Sequence, residues 1–411
     1  MLLWVTLFPT QVASAQLTMV QGNSASSDTD KDKDSEIPLE TVATFDMIPH
    51  GIGVSKDGRI FVCFARPSDK TPFTLAELKN GVPVAYPNSE LNTLDLQNPS
   101  KYLISVLSAT VDTNGHLWVL DTGRYNLQQV PNAIKLWCID LSTNRVIKQL
   151  PISAKTAQDN VLRDFEIDLN YGSEGTAFLC GTSQRGVCAI VTLDLATGAA
   201  MRRLENHFST KAEPEFVVFA EGEMLRVRSA PDKEPVDFTP GLAALSLSTD
   251  GKTVYYCGYG SNRIFSVDAQ SLSNPKVSEK DVEKTVRTVA TTITTPSGIA
   301  ADAQGHLFYT DVEDNSIWAR QKDATDKKLS RDARLIWPEH LFIAQDGYMY
   351  VSASQFNRRP QFHYGRDLTQ KPFYVFRMDM SKVDGQPKKD AEHKPEPKTN
   401  GQPRPVERPT E

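Results

Sequence analysis

The sequence predicts an all-β fold, a six-bladed β-propeller with four-stranded blades. Two observations lead there. One strand–turn–strand motif recurs six times, and helical periodicity is nearly absent between the copies. The copies begin at Gly51 ("GIGVSKDGRIFVCFAR"), Ala109 ("ATVDTNGHLWVLDTGR"), Asp164 ("DFEIDLNYGSEGTAFLCGTSQRG"), Ala244 ("ALSLSTDGKTVYYCGYGSNRIFSVD"), Gly298 ("GIAADAQGHLFYTDVEDNSIW") and His340 ("HLFIAQDGYMYVSASQFNR").

Each copy turns on Asp-Gly, Asn-Gly or Gln-Gly, except the third, whose turn is longer. Such pairs tolerate positive φ and so suit tight hairpins. The flanking runs, such as "RIFVCF" and "HLFYTD", alternate and are rich in β-branched and aromatic residues. Further runs such as "KLWCIDL", "AIVTLDL" and "RIFSVD" supply a third and fourth strand per copy. Radial repetition leaves no long free edges, so six blades make one domain.

The ring has to close. Glu40–Ile48 ("ETVATFDMI") precedes the first copy and Pro372–Met380 ("PFYVFRMDM") follows the last, so one is expected to complete the blade of the other. The propeller is placed at 38–382. Residues 16–37 and 383–411, charged and poor in apolar side chains, read as disordered linker and tail. Residues 1–15 read as a signal peptide, with an apolar core at Leu2–Phe8 and a small-x-small site at Ala13-Ser14-Ala15. A secreted, extracellular protein follows from that reading.

A net charge of −6 without a basic block argues against nucleic acid and anionic membrane as partners. No run of about 20 apolar residues spans a bilayer. The five cysteines include no C-x-x-C pair. Cys180 and Cys188 bracket "GTSQRGV" and are expected to bridge if that loop joins two antiparallel strands. No cofactor or metal is expected, and a monomer is.

In a propeller the residues at the start of each inner strand ring one mouth of the channel, and the loops after each second strand lie on the same face. The mouth then collects His50, Asp164, Ser297, Glu339 and His340. Arg124, Tyr125, Gln184-Arg185, Tyr259, Asn262, Asn315, Gln355, Asn357 and Arg358 form a second ring. Carboxylates, imidazoles, arginines and aromatics around one cavity suit a small-molecule ligand. Either histidine beside a carboxylate would serve as a general base if the protein is an enzyme. No G-x-S-x-G, H-E-x-x-H or phosphate-loop element is present.

"LWVLDTGR" (Leu117–Arg124), "KLWCIDLST" (Lys135–Thr143), the early "RPSDKTPFTLAEL" and the long Trp337–Met378 segment resemble the major royal jelly protein/Yellow family over about residues 40–380. The resemblance implies a secreted six-bladed propeller, here expected from a microbial or fungal source. Members of that family bind biogenic amines in the channel, take part in dopachrome conversion, or serve as storage proteins. A more distant likeness to gluconolactonases lacks two expected metal ligands, since Ser297 stands where Asn is favoured and "HGIG" brings no Glu. The function expected is binding of a small aromatic or amine-like molecule in the channel. The alternatives are an isomerase or tautomerase of a quinone-like metabolite and, third, a metal-dependent lactonase.

Overall fold

Six four-stranded antiparallel sheets make the blades of a β-propeller in the computed structural model, which describes residues 36–386 except 159, 184–186 and 229. The expected signal peptide and most of the expected linker and tail lie outside the described residues. From the axis outward, blade one runs Pro49–Val54, Ile60–Phe64, Leu75–Lys79 and Val82–Ala85. Blades two to five begin on Val106–Val111, Val161–Asp168, Leu242–Leu247 and Ile299–Ala301, and blade six on Pro338–Ile343. Each inner strand packs beside the next, and Pro338–Ile343 returns against Pro49–Val54. The ring is fastened as expected: Glu40–Phe45 pairs antiparallel with Phe373–Asp379 as the outermost strand of blade six.

The turn chemistry follows the sequence. Gly58, Gly115, Gly251, Gly305 and Gly347 all take positive φ, the region in which an L side chain is disfavoured. The aspartate ahead of the turn often ties it down: Asp112 Oδ1 accepts from the N–H groups of Asn114 and His116, each at 2.9 Å. Blade faces bury large apolar side chains against one another, as where Phe308 and Ile317 of blade five meet Met349 and Phe376 of blade six.

A repeated irregularity shapes the axis. The inner strands of blades one, two, three, four and six each slip register near their start, between Pro49 and Ile52, Val106 and Ser108, Leu162 and Asp164, Leu242 and Ala244, and Pro338 and Leu341. A bulge breaks the two-residue alternation and re-aims a side chain. The residues within these slips line one end of the channel.

Two sequence expectations change. Ile37 and Val383, assigned to the linker and tail, are both buried in the blade-five/blade-six core. The bridge between Cys180 and Cys188 is not formed; all five cysteines are free and buried. The register that pairs Leu179 with Val191 carries Cys180 toward Ile190, past Cys188. Cys188 instead directs its Sγ to the carbonyl of Pro240, at 3.2 Å. No helix among the described residues is long and apolar enough to cross a membrane.

Candidate functional site in the channel mouth

His50, Arg163 and Glu339 come from the bulged starts of blades one, three and six. His50 Nδ1 lies 3.2 Å from Glu339 Oε2, and Arg163 Nη2 donates to Glu339 Oε1. Arg359 Nη2 sits 3.3 Å from His50 Nε2. A guanidinium only donates, so Nε2 carries the imidazole lone pair and Nδ1 the proton that faces Glu339. Beside this group, His340 Nε2 lies 3.7 Å from Asp164 Oδ1, longer than a hydrogen bond, while its Nδ1 accepts from the N–H of Ile52. Asp164 accepts from Ser108 Oγ at 2.9 Å and from the N–H of Leu245 at 3.1 Å.

Burial lowers the pKa of both His50 and His340, so both are neutral at pH 7. Burial also opposes the charge of Glu339, but His50, Arg163 and Arg359 together outweigh it and hold the carboxyl well below its usual range. Burial raises the pKa of Asp164. Deeper in the channel, burial and then the neighbouring Asp164 push Glu166 up to about 8. Two small adjoining hollows, each of about 20 Å³, share Asp164, Glu339 and His340. The outer one reaches His50 and Arg163, the inner one Glu166 and Phe342.

The mouth is roofed. A long connection between blades three and four (204–241) forms two small hairpins, Phe219–Ala220 with Glu223–Met224 and Arg226–Val227 with Val236–Asp237. It meets the blade-six loop carrying the short turns Phe356–Arg358 and Pro360–Phe362. Arg358 pairs with Glu221, Asn357 donates to Glu221 at 2.7 Å, and Arg228 donates from its backbone to Gln361 at 2.8 Å. Beneath these ties Phe238, Phe356 and Phe362 pack on Tyr259 and Trp337. Arg163 lies over the Tyr259 ring at 5.0 Å and Arg359 over Phe356 at 4.8 Å.

Of the residues expected at the site, His50, His340, Asp164, Glu339 and Tyr259 are brought together. Ser297 is near them but buried in a structural role, donating to the Pro338 carbonyl and lying 3.0 Å from Thr310 Oγ1. Asn262 donates to Thr292 at 2.9 Å, and Gln355 exchanges hydrogen bonds with the Gln370 backbone. Asn315 turns the chain at φ 52°. Asn357 and Arg358 fasten the roof. Arg124 and Tyr125 form a separate hairpin with Gln128–Gln129, where Arg124 donates to the Leu127 carbonyl. Gln184 and Arg185 lie outside the described residues. Arg163, Arg359, Glu166 and Trp337 were not expected. The bulge beside Asp164 brings Arg163 to the axis, and the blade-six loop folds Arg359 under the roof. Glu166, two residues after Asp164 on the same strand, was open to an i, i+2 reading.

The family model described as Major royal jelly protein matches residues 104–385. The chain belongs to the major royal jelly protein family. Within it, 120 residues are 32% identical to L-dopachrome tautomerase yellow-f of Drosophila melanogaster. That alignment covers 26% of this chain and 27% of the relative, so the match spans about a quarter of that protein. Among solved structures, this royal jelly family member resembles a gluconolactonase from Xanthomonas campestris at 9% identity and a TM-score of 0.49, covering 84% of this chain and 91% of the other. It also resembles virginiamycin B lyase from Staphylococcus aureus at 12% identity and a TM-score of 0.45, covering 84% and 99%.

Proposed function

We propose that this royal jelly family protein binds a small aromatic molecule in the roofed mouth of its channel. One observation carries the reading: three blades deliver His50, Arg163, Asp164, Glu339 and His340 to one hollow, and Arg163 links it to the Tyr259 ring at 5.0 Å. A few polar groups converging on one concave spot are what a small-molecule site uses to orient its ligand, and a ring would enter by displacing the roof. The test is thermal shift against aromatic acids, amines, catechols, indoles and sugar lactones. A ligand that binds only the folded state raises the melting temperature as its concentration exceeds Kd. The reading predicts a hit that Glu339→Gln or Asp164→Asn removes; hits unaffected by both variants would place binding elsewhere.

A second reading, tautomerisation of a quinone-like compound, is favoured by the His50–Glu339 arrangement. A neutral imidazole with its proton turned to a carboxylate keeps its lone pair on Nε2, which Arg359 now engages and which would serve a substrate that draws that guanidinium away. Taking a proton from carbon and returning it to another atom of the same molecule needs no co-reactant. The partial likeness to a dopachrome tautomerase supports the same chemistry. If it holds, His50→Gln abolishes turnover while binding survives, and the wild-type rate falls as pH drops through the lowered pKa of His50. Export from the cell and a monomeric state belong to the proposal as well. Recovery of the protein in culture medium and its sedimentation would test them.

A further inference from the structure

We infer that the mouth is an anion site, which takes its aromatic ligand through a carboxylate held by Arg359 and Tyr259. This rests on the reading that the mouth binds a small molecule, and it names the class of that molecule.

The charges come first. His50 and His340 are neutral, and Asp164 already accepts from Ser108 and Leu245. Arg163 is committed to Glu339. Arg359 makes no ion pair with any described residue, and its nearest polar neighbour is the neutral His50. Arg359 thus feels Glu339 only at longer range and has no carboxylate of its own within ion-pair distance, beneath an aromatic roof where the low dielectric makes a direct opposite charge worth most.

The orphaned atoms agree. Arg359 Nε, Tyr259 Oη and Trp337 Nε1 are all buried without a hydrogen-bond partner. Buried polar groups nearly always find partners, so a cluster of exceptions on one side of the mouth marks where an occupant's polar atoms would be received. Even if the indole N–H turns to the phenol oxygen, which it lies near, the phenol O–H remains to donate. The free donors call for acceptor oxygen, and a carboxylate carries two.

A cationic amine fits poorly. The aromatic faces it would use are occupied: Arg163 covers Tyr259 and Arg359 covers Phe356. An ammonium would enter against two guanidinium groups. A carboxylate on Arg359 instead sets the rest of the molecule beside His50 Nε2, where the lone pair lies.

The experiment is calorimetric titration of the full chain with three indoles alike in shape: indole-3-acetate, indole-3-ethanol and tryptamine. Indole-3-acetate is expected to bind tightest, and Arg359→Met to weaken it by about tenfold or more, as loss of a charge-assisted hydrogen bond should. Arg359→Lys should restore part of the affinity. Tyr259→Phe, which removes one oxygen without opening a cavity, should weaken indole-3-acetate several-fold and leave indole-3-ethanol unchanged; it decides the matter if Arg359→Met fails to fold. Tighter binding of tryptamine overturns the anion site while leaving the mouth as a ligand site. Binding of the acid that neither variant alters overturns the assignment to Arg359 and Tyr259. If none of the three binds, the anion site and the small-molecule reading fall together.

Discussion

Arg163 and Glu339 form an ion pair across the axis of the propeller. Blades three and six are opposite in the ring of six, so the bond spans the channel instead of joining neighbours. The side chains are 12% and 6% exposed. His340 and Asp164, from the same two blades, face each other beside it. The channel is therefore closed by one ion pair with a neutral imidazole facing a carboxyl beside it, and its free polar capacity is displaced to the roof side, onto His50, Tyr259 and Arg359.

A pair this buried should be costly to break from one side. Arg163→Met strands the Glu339 carboxylate away from water, which typically destabilises by about 3–5 kcal/mol. Adding Glu339→Gln removes the stranded charge, so the double variant should be more stable than the sum of the single effects, with a coupling of about 1–3 kcal/mol. Urea unfolding of the four proteins measures this. Additive losses would mean that the two groups do not act on each other in solution.

Residues with a local signal were legible in the sequence. Asp-Gly turns and alternating strands announced the blades, and Glu40–Phe45 was recognisable as a strand in need of a partner. His50, Asp164, Glu339 and His340 followed from their places at strand starts. Arg163 did not, because it reaches the axis through a bulge that leaves no mark on a two-residue period. Arg359 was hidden for a different reason. Its position depends on the 204–241 connection folding against the blade-six loop, a contact between segments more than a hundred residues apart. The Cys180–Cys188 bridge failed on register: the two strands do pair antiparallel, but with Leu179 opposite Val191, so Cys180 runs toward Ile190 and past Cys188.

Glu166 gives the channel a pH signature. Its pKa is about 8 in the folded protein against an ordinary 4.5, so the folded state holds the proton more tightly than the unfolded chain does. Stability from this group is full below about pH 4.5 and is lost as pH rises through about 8. Glu166→Gln cannot ionise and escapes that loss. The melting temperature of the variant relative to wild type should therefore climb between pH 5 and pH 8. A difference that stays flat over that range would show that the carboxyl is already ionised in the fold.

The cysteines make a simple chemical prediction. Five thiols should titrate in denaturant without prior reduction, because all five are free. The native protein should react slowly, since the thiols are buried and burial raises the pKa of Cys63 above its usual value, leaving little thiolate. Reductant should leave the melting temperature unchanged. A count of three would restore a disulfide.

Gly298 connects packing to the site. It begins the inner edge of blade five, and a Cβ there would stand 2.4 Å from the Glu339 carbonyl oxygen and 3.1 Å from its carbon. The neighbour is backbone, so no rotamer change relieves the clash, and Gly298→Ala must push the Pro338–Ile343 strand. Overpacking of this kind costs about 1–3 kcal/mol, and it should also shift Glu339 from Arg163 and His50. Gly58 is the comparison: nothing lies within 4 Å of its added Cβ, and only its φ of 81° is strained. Gly58→Ala should lose stability while indole-3-acetate binding is retained; Gly298→Ala should lose both. If Gly298→Ala kept full affinity, the position of Glu339 would not matter to the ligand, and the site would have to rest on Arg359 and Tyr259 alone.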